Sequence, residues 1–135
     1  MALAVVLADL MRARTAVLQA ELATRPSERF LAGHTAALRV AAIILVLRTS
    51  PAIAARPTRP RNAWELVAVV APEFAEWAGF FAATEGKRDA VRAGASSIVT
   101  AREADDLVRD VGTFFALVEQ TVHRGTDVGR PGALP

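Results

Sequence analysis

Apolar positions recur at helical spacing along this chain, and no stretch shows the two-residue alternation of a half-buried strand. Leu3, Val6, Leu10, Ala13, Val17 and Ala20 mark a first helix over about 3–23. Pro26 bars the helical conformation to Arg25, so 24–27 reads as a turn, with Ser27 available to cap the second helix. That helix covers roughly 28–48. Leu31, His34, Leu38, Ala41 and Leu45 form one stripe along it, and Phe30, Ala37 and Ile44 form another. A helix apolar on two faces is buried on two faces, so this one is expected at the centre of the fold.

Prolines and caps divide the remainder. Residues 49–61 carry Pro51, Pro57 and Pro60 among Arg56, Arg59 and Arg61, and read as a linker that does not sustain a helix. Asn62-Ala-Trp-Glu65 has the form of a capping box, with Trp64, Leu66, Val67 and Val70 behind it. Pro72 removes a backbone donor and ends or kinks that helix. The pattern resumes over 73–84 with Phe74, Trp77, Ala78 and Phe81 on one face, then turns polar over 86–94, as a short helix or a loop. Thr100-Ala-Arg-Glu103 is a second capping box. Ala104, Leu107, Val108, Val111, Phe114, Phe115, Val118 and Val122 then keep helical period for about five turns. The expected organisation is one helical domain over 1–124 and a Gly- and Pro-rich disordered tail over 125–135.

Composition narrows the function classes. A chain of 135 residues is large enough to bury one core. There is no Cys, which excludes disulfides and cysteine-held metal. The pI of 10.3 reflects a preference for Arg, since only Lys87 is lysine; the net charge is just +2 and is no nucleic-acid signature. The longest apolar run, 40–47, is too short to span a bilayer, and the apolar start lacks a basic region, so the expectation is a cytoplasmic protein without a membrane partner. Phosphate-binding glycine loops, zinc spacings and Glu-x-x-His pairs are missing. Glu65, Glu73, Glu76, Asp105 and Asp106 are therefore not read as a metal set, and no cofactor is expected.

Arg29 and His34 are the strongest chemical candidates, because only there does a proton-transferring side chain lie close in sequence to a fixed cation. A neutral His34 could take the proton of a ribose 2′-hydroxyl while Arg29 stabilises charge on the phosphate. A step of five residues turns about 140° past one full turn, so an Arg and its own His do not share a helix face. The other reading makes His34 a core histidine beside Leu31 and Leu38, and Arg29 a surface ion-pair partner. Arg56, Arg59 and Arg61 could hold a nucleic-acid backbone in a flexible arm, or be a solvated linker. Trp64, Phe74, Trp77 and Phe81 read as core rather than as a ligand pocket, and His123 as a cation at the last helix terminus.

Three blocks carry a resemblance: Glu28-Arg-Phe-Leu-Ala-Gly-His-Thr-Ala-Ala-Leu-Arg39, Trp64-Glu-Leu-Val-Ala-Val-Val-Ala-Pro-Glu-Phe-Ala-Glu-Trp-Ala-Gly-Phe-Phe81 and Val99-Thr-Ala-Arg-Glu-Ala-Asp-Asp-Leu-Val-Arg109. In order and spacing the chain, from about 3 to 123, resembles the small, stand-alone, actinobacterial SAV-type subfamily of the HEPN superfamily. The resemblance implies an all-α, up-and-down bundle of four to five helices that pairs as a homodimer. It also implies a metal-independent ribonuclease or toxin-like RNA-processing activity. The signature of such activity is an Arg followed shortly by a His, the form of Arg29-Phe-Leu-Ala-Gly-His34. Two such pairs would face each other across a dimer cleft, with RNA or a nucleotide as ligand and an antitoxin-like protein as partner. The alternative is a catalytically silent helical module binding a protein or nucleotide partner. Small residues along the apolar faces, Ala37, Ala41, Ala75, Ala78 and Gly112, add to the expectation of a second copy.

Overall fold

Wherever the computed structural model describes the backbone, residues 2–51 and 62–128, the periodic segments are helices, and no strand occurs among those residues. They are α1 (Ala2–Leu22), α2 (Pro26–Arg48), α3 (Ala63–Val70), α4 (Ala75–Ala83), α5 (Glu85–Arg92) and α6 (Ala101–Val128), with 3₁₀ turns at Pro72–Phe74 and Ser96–Ile98. The fold is an all-α bundle.

The central position of α2 comes from its two-faced pattern. It packs lengthwise against α1 and α6 and meets α3 and α5 on its remaining side. Phe30, Gly33, His34, Ala36, Ala37, Val40, Ala41, Ile43 and Ile44 are buried around its circumference. Alanines at the contacts let neighbouring backbones approach closely, and Ala36, Ala37 and Ala41 have no exposed surface. By length and hydropathy α2 would also qualify as a membrane span, although its longest unbroken apolar run is short. Here much of its apolar surface is taken up by the helices around it, while Val46 and Leu47 near its end stay exposed.

The other end of the core is aromatic. Trp64 of α3 stacks on Phe81 of α4 with centroids 5.2 Å apart, and Phe81 lies 5.2 Å from Phe114 of α6. Trp77 stacks on Phe114 at 5.6 Å, and Phe74 meets Phe114 edge-on at 5.9 Å. These offset and edge contacts, each worth about 0.5–1.5 kcal/mol beyond area burial, fasten α3 and α4 to α6. The aromatic set is core, as its spacing indicates.

Both capping boxes lie where the sequence places them. The Asn62 side chain accepts from the Glu65 amide at 3.0 Å. At α6 the box is reciprocal: Glu103 N–H donates to Thr100 Oγ1 at 3.0 Å, and Thr100 N–H donates to the Glu103 carboxylate at 3.1 Å. Pro72 separates α3 from α4 through a 3₁₀ turn.

Two local expectations are corrected and one left open is decided. Ser27 does not cap α2, because Pro26 itself occupies the first helical turn, where its fixed φ suits the helix and its missing N–H removes nothing; extended Arg25 is the cap residue. The polar stretch 86–94 is mostly helix, with α5 closing at Gly94, whose φ of +113° a side chain would strain. Helix α6 continues to Val128 through Gly125, so His123 is not in its last turn and does not serve the helix terminus. The rest of the expected tail, 129–135, lies outside the described residues.

Ala37, Ala41 and Ala78, which the sequence suggested for a partner, are covered by the chain's own helices. Exposed apolar side chains concentrate instead on α1, where Leu3, Val5, Leu7, Met11, Leu18 and Leu22 are each at least 42% accessible.

Replacing the Thr100 hydroxyl removes one half of the α6 box. Thr100→Ala is expected to lower unfolding free energy by about 1 kcal/mol in urea titration, with an unchanged m-value.

Candidate functional site

Arg29 lies in the first turn of α2, directly below the end of α1, and its guanidinium completes that helix terminus. Nη1 sits 2.8 Å from the Glu21 carbonyl, 3.0 Å from that of Ala23 and 3.2 Å from that of Ala20. The last carbonyls of a helix have no partners within it and carry its negative dipole end, so a cation among them is doubly favourable. On its other edge Arg29 reaches α6, with Nε and Nη2 each 3.1 Å from Asp105 Oδ1. One side chain thus joins α1, α2 and α6, and is left only 18% accessible.

His34, on a different face of α2, has no exposed surface. Its ring meets Trp64 edge-on, centroids 6.4 Å apart at 86°. Nδ1 lies 3.4 Å from Nη1 of Arg88 on α5. A guanidinium can only donate, so Nδ1 accepts and the ring proton resides on Nε2. Arg88 is held in turn by Asp89 Oδ1, at 3.0 and 3.2 Å, and by Glu85 at 3.8 Å. Burial and then the neighbouring Arg88 charge push the His34 pKa down to about 4, against weaker opposing pulls from the Phe81 carbonyl and Asp89. His34 is therefore neutral at pH 7. Neither Nε2 nor the buried Nε1 of Trp64 has a hydrogen-bonding protein partner.

The structure does not bring the two candidates together. Arg29 is occupied by α1 carbonyls and Asp105, while His34 is enclosed by Trp64 and Arg88. A general base must come within about 3 Å of the proton it abstracts, and no surface of His34 is open to a substrate. Arg56, Arg59 and Arg61, the candidate nucleic-acid contacts, fall within 52–61, outside the described residues. Among the candidate carboxylates, Glu73 accepts a two-pronged pair from Arg48 at 2.8 and 3.3 Å, which holds its carboxyl below the usual range. Asp105 serves Arg29. No cluster of three or more metal-ligating side chains occurs among the described residues.

Sequence reading missed Arg88 and Asp89, which set the electrostatics around His34. They sit in the polar segment 86–94, where helical phase turns Arg88 inward. The only available signal was Val91, three positions later and buried on the same helix.

The described residues form an all-α bundle with Arg29 and His34 on separate faces of α2. Residues 20–119 match the model of the SAV_6107-like HEPN family, and the chain belongs to that family. No curated protein and no solved structure matches it.

These environments set two expectations. Arg29→Ala strands three carbonyls and is expected to lower stability by about 1–3 kcal/mol, whereas Asp105→Ala, removing an exposed partner, should change it by about 1 kcal/mol or less in the same denaturation assay. His34 binds a proton more weakly folded than unfolded. Its contribution is complete above pH 6.5 and fades as pH falls toward 4, where the folded protein also takes the proton. A loss of up to about 3 kcal/mol over that window is expected, and His34→Leu should abolish this component of the slope.

Proposed function

We propose that this chain is a HEPN-type helical interaction module without ribonuclease activity, in which Arg29 and His34 serve the fold. The observation that carries this reading is the complete burial of His34, neutral and turned toward Trp64 and Arg88. The engagement of Arg29 with three backbone carbonyls and Asp105 supports it, because freeing that guanidinium for a phosphate would uncap α1. A chain of this kind acts through its outer helix faces, by pairing with itself and by binding a protein or nucleotide.

Incubation of the purified protein with single-stranded RNA and with tRNA, with and without EDTA, is expected to leave both uncut. His34→Ala should lose roughly 1–3 kcal/mol of stability through a cavity and an unpaired Arg88 contact. Cleavage by the native protein that disappears in a stably folded His34→Ala variant would overturn the reading in favour of a ribonuclease.

A further inference from the structure

The short connection over 23–25 makes α1 and α2 antiparallel neighbours, and an open groove runs between them. Met11, Arg12, Thr15 and Gln19 of α1 form one wall, Arg39 of α2 forms the other, and buried Ala16 lies at the base. Beyond Arg39 the exposed stripe of α2 continues through Ala42 and Val46. A trough between two packed helices has the shape that the side chains of a third helix fill.

The charge of this groove has one sign. Its lining carries two guanidinium groups, a hydroxyl and a carboxamide, and no carboxylate. Among the described residues the side chains of Arg39, Thr15 and Gln19 have no hydrogen bond or ion pair. Arg12 pairs with Asp9 of its own helix at 3.0 Å and keeps 61% of its side chain accessible. An exposed pair of that kind is worth little and yields readily to a better acceptor. The two walls thus present a cation each, with neutral polar groups and the exposed thioether of Met11 alongside.

We propose that the α1–α2 groove docks an acidic amphipathic helix of a protein partner. Carboxylates of that helix pair with Arg12 and Arg39, and its apolar side chains pack on Met11 and Ala16, where the flexible thioether adapts to their shape. The proposal rests on the interaction-module reading and deepens it by naming the face and the chemistry of the partner. The walls run over 11–19 and 35–46, about 12 Å and 17 Å, so roughly two to three turns of the partner lie in contact. Acids three or four residues apart share one side of such a helix and meet the cations together. A second copy of this face is a poor occupant, since its own Arg12 and Arg39 would oppose these. A nucleic acid is disfavoured as well: no aromatic side chain lines the groove to stack a base, and two cations neutralise few phosphates.

The probe is a fluorescein-labelled helical peptide with a leucine face flanked by glutamates, titrated with the full chain and read by fluorescence polarisation. Saturable binding that weakens as salt rises is expected, and the same peptide with glutamine for glutamate should not bind. Arg39→Glu and Arg12→Glu should each weaken binding on the order of tenfold or more. Both side chains are exposed, so the helical spectra should not change. Arg102→Glu, which reverses a 92% accessible side chain on α6, should leave binding as it is. Amide shifts on adding the peptide should gather at 11–19 and 35–46. Absence of binding, equal binding of the neutral peptide, shifts centred elsewhere, or tighter binding of a single-stranded RNA oligonucleotide at the same residues would each overturn the proposal. A protein that takes the peptide in this groove yet cuts RNA sinks only the module reading. One that ignores the peptide and leaves RNA uncut sinks only the groove.

Discussion

Every other part of this bundle depends on the apolar faces of α2 being covered. A helix of 23 residues with apolar side chains around its circumference cannot face water. It draws α1 and α6 along its flanks and α3 and α5 over part of the rest, leaving a stripe through Thr35, Arg39, Ala42 and Val46 exposed. Close packing is achieved with small residues rather than bulk: Ala36, Ala37 and Ala41 let the neighbouring helices approach, and the aromatic cluster on α3, α4 and α6 supplies the large volumes elsewhere. A polar group on a buried face of α2, as at His34, therefore enters the interior, whereas Thr35 and Arg39 lie on its exposed stripe.

That constraint decides the fate of both candidate catalytic residues. Arg29 is at the end of α2, where it meets the free carbonyls of α1 and becomes the clasp between α1, α2 and α6. His34 is more than one turn further in and enters the core. A buried histidine is tolerable only if neutral, and the neighbouring Arg88 cation, which still reaches solvent, reinforces neutrality while donating toward Nδ1. In this structure a pair of residue types suited to phosphate chemistry lies with one member at a helix end and the other in the core.

Membership of the SAV_6107-like HEPN family accounts for the architecture but leaves the chemistry to the individual site. In this chain exposed apolar side chains gather on α1. The bundle therefore resembles a unit with one completed interior and one unfinished face. Some of its acidic and basic side chains pair across elements, as in Arg48 with Glu73 and Lys87 with Glu103.

Features that depend on neighbours in sequence were legible without coordinates. Helical period, the Asn62 and Thr100 caps, the break at Pro72 and the central place of α2 all arise from residues within a turn or two of each other, whose geometry the helix itself imposes. The angle between Arg29 and His34 was legible for the same reason. The surroundings that α2 turns toward each of them were not. Asp105 is 76 residues from Arg29 and Arg88 is 54 from His34, and helical phase says which residues share a face without saying which helix that face will meet. Ser27 was misread for a related reason, a weak local preference that yielded to Pro26 at the first turn, and the segment 86–94, open between short helix and loop in the sequence, was decided by the packing of Val91. Sequence alone determined the helices and the one that must be buried. Only tertiary packing decided that His34 is closed off, that Arg29 is a clasp, and that α1 is left with a second apolar face, because each depends on contacts between segments far apart along the chain.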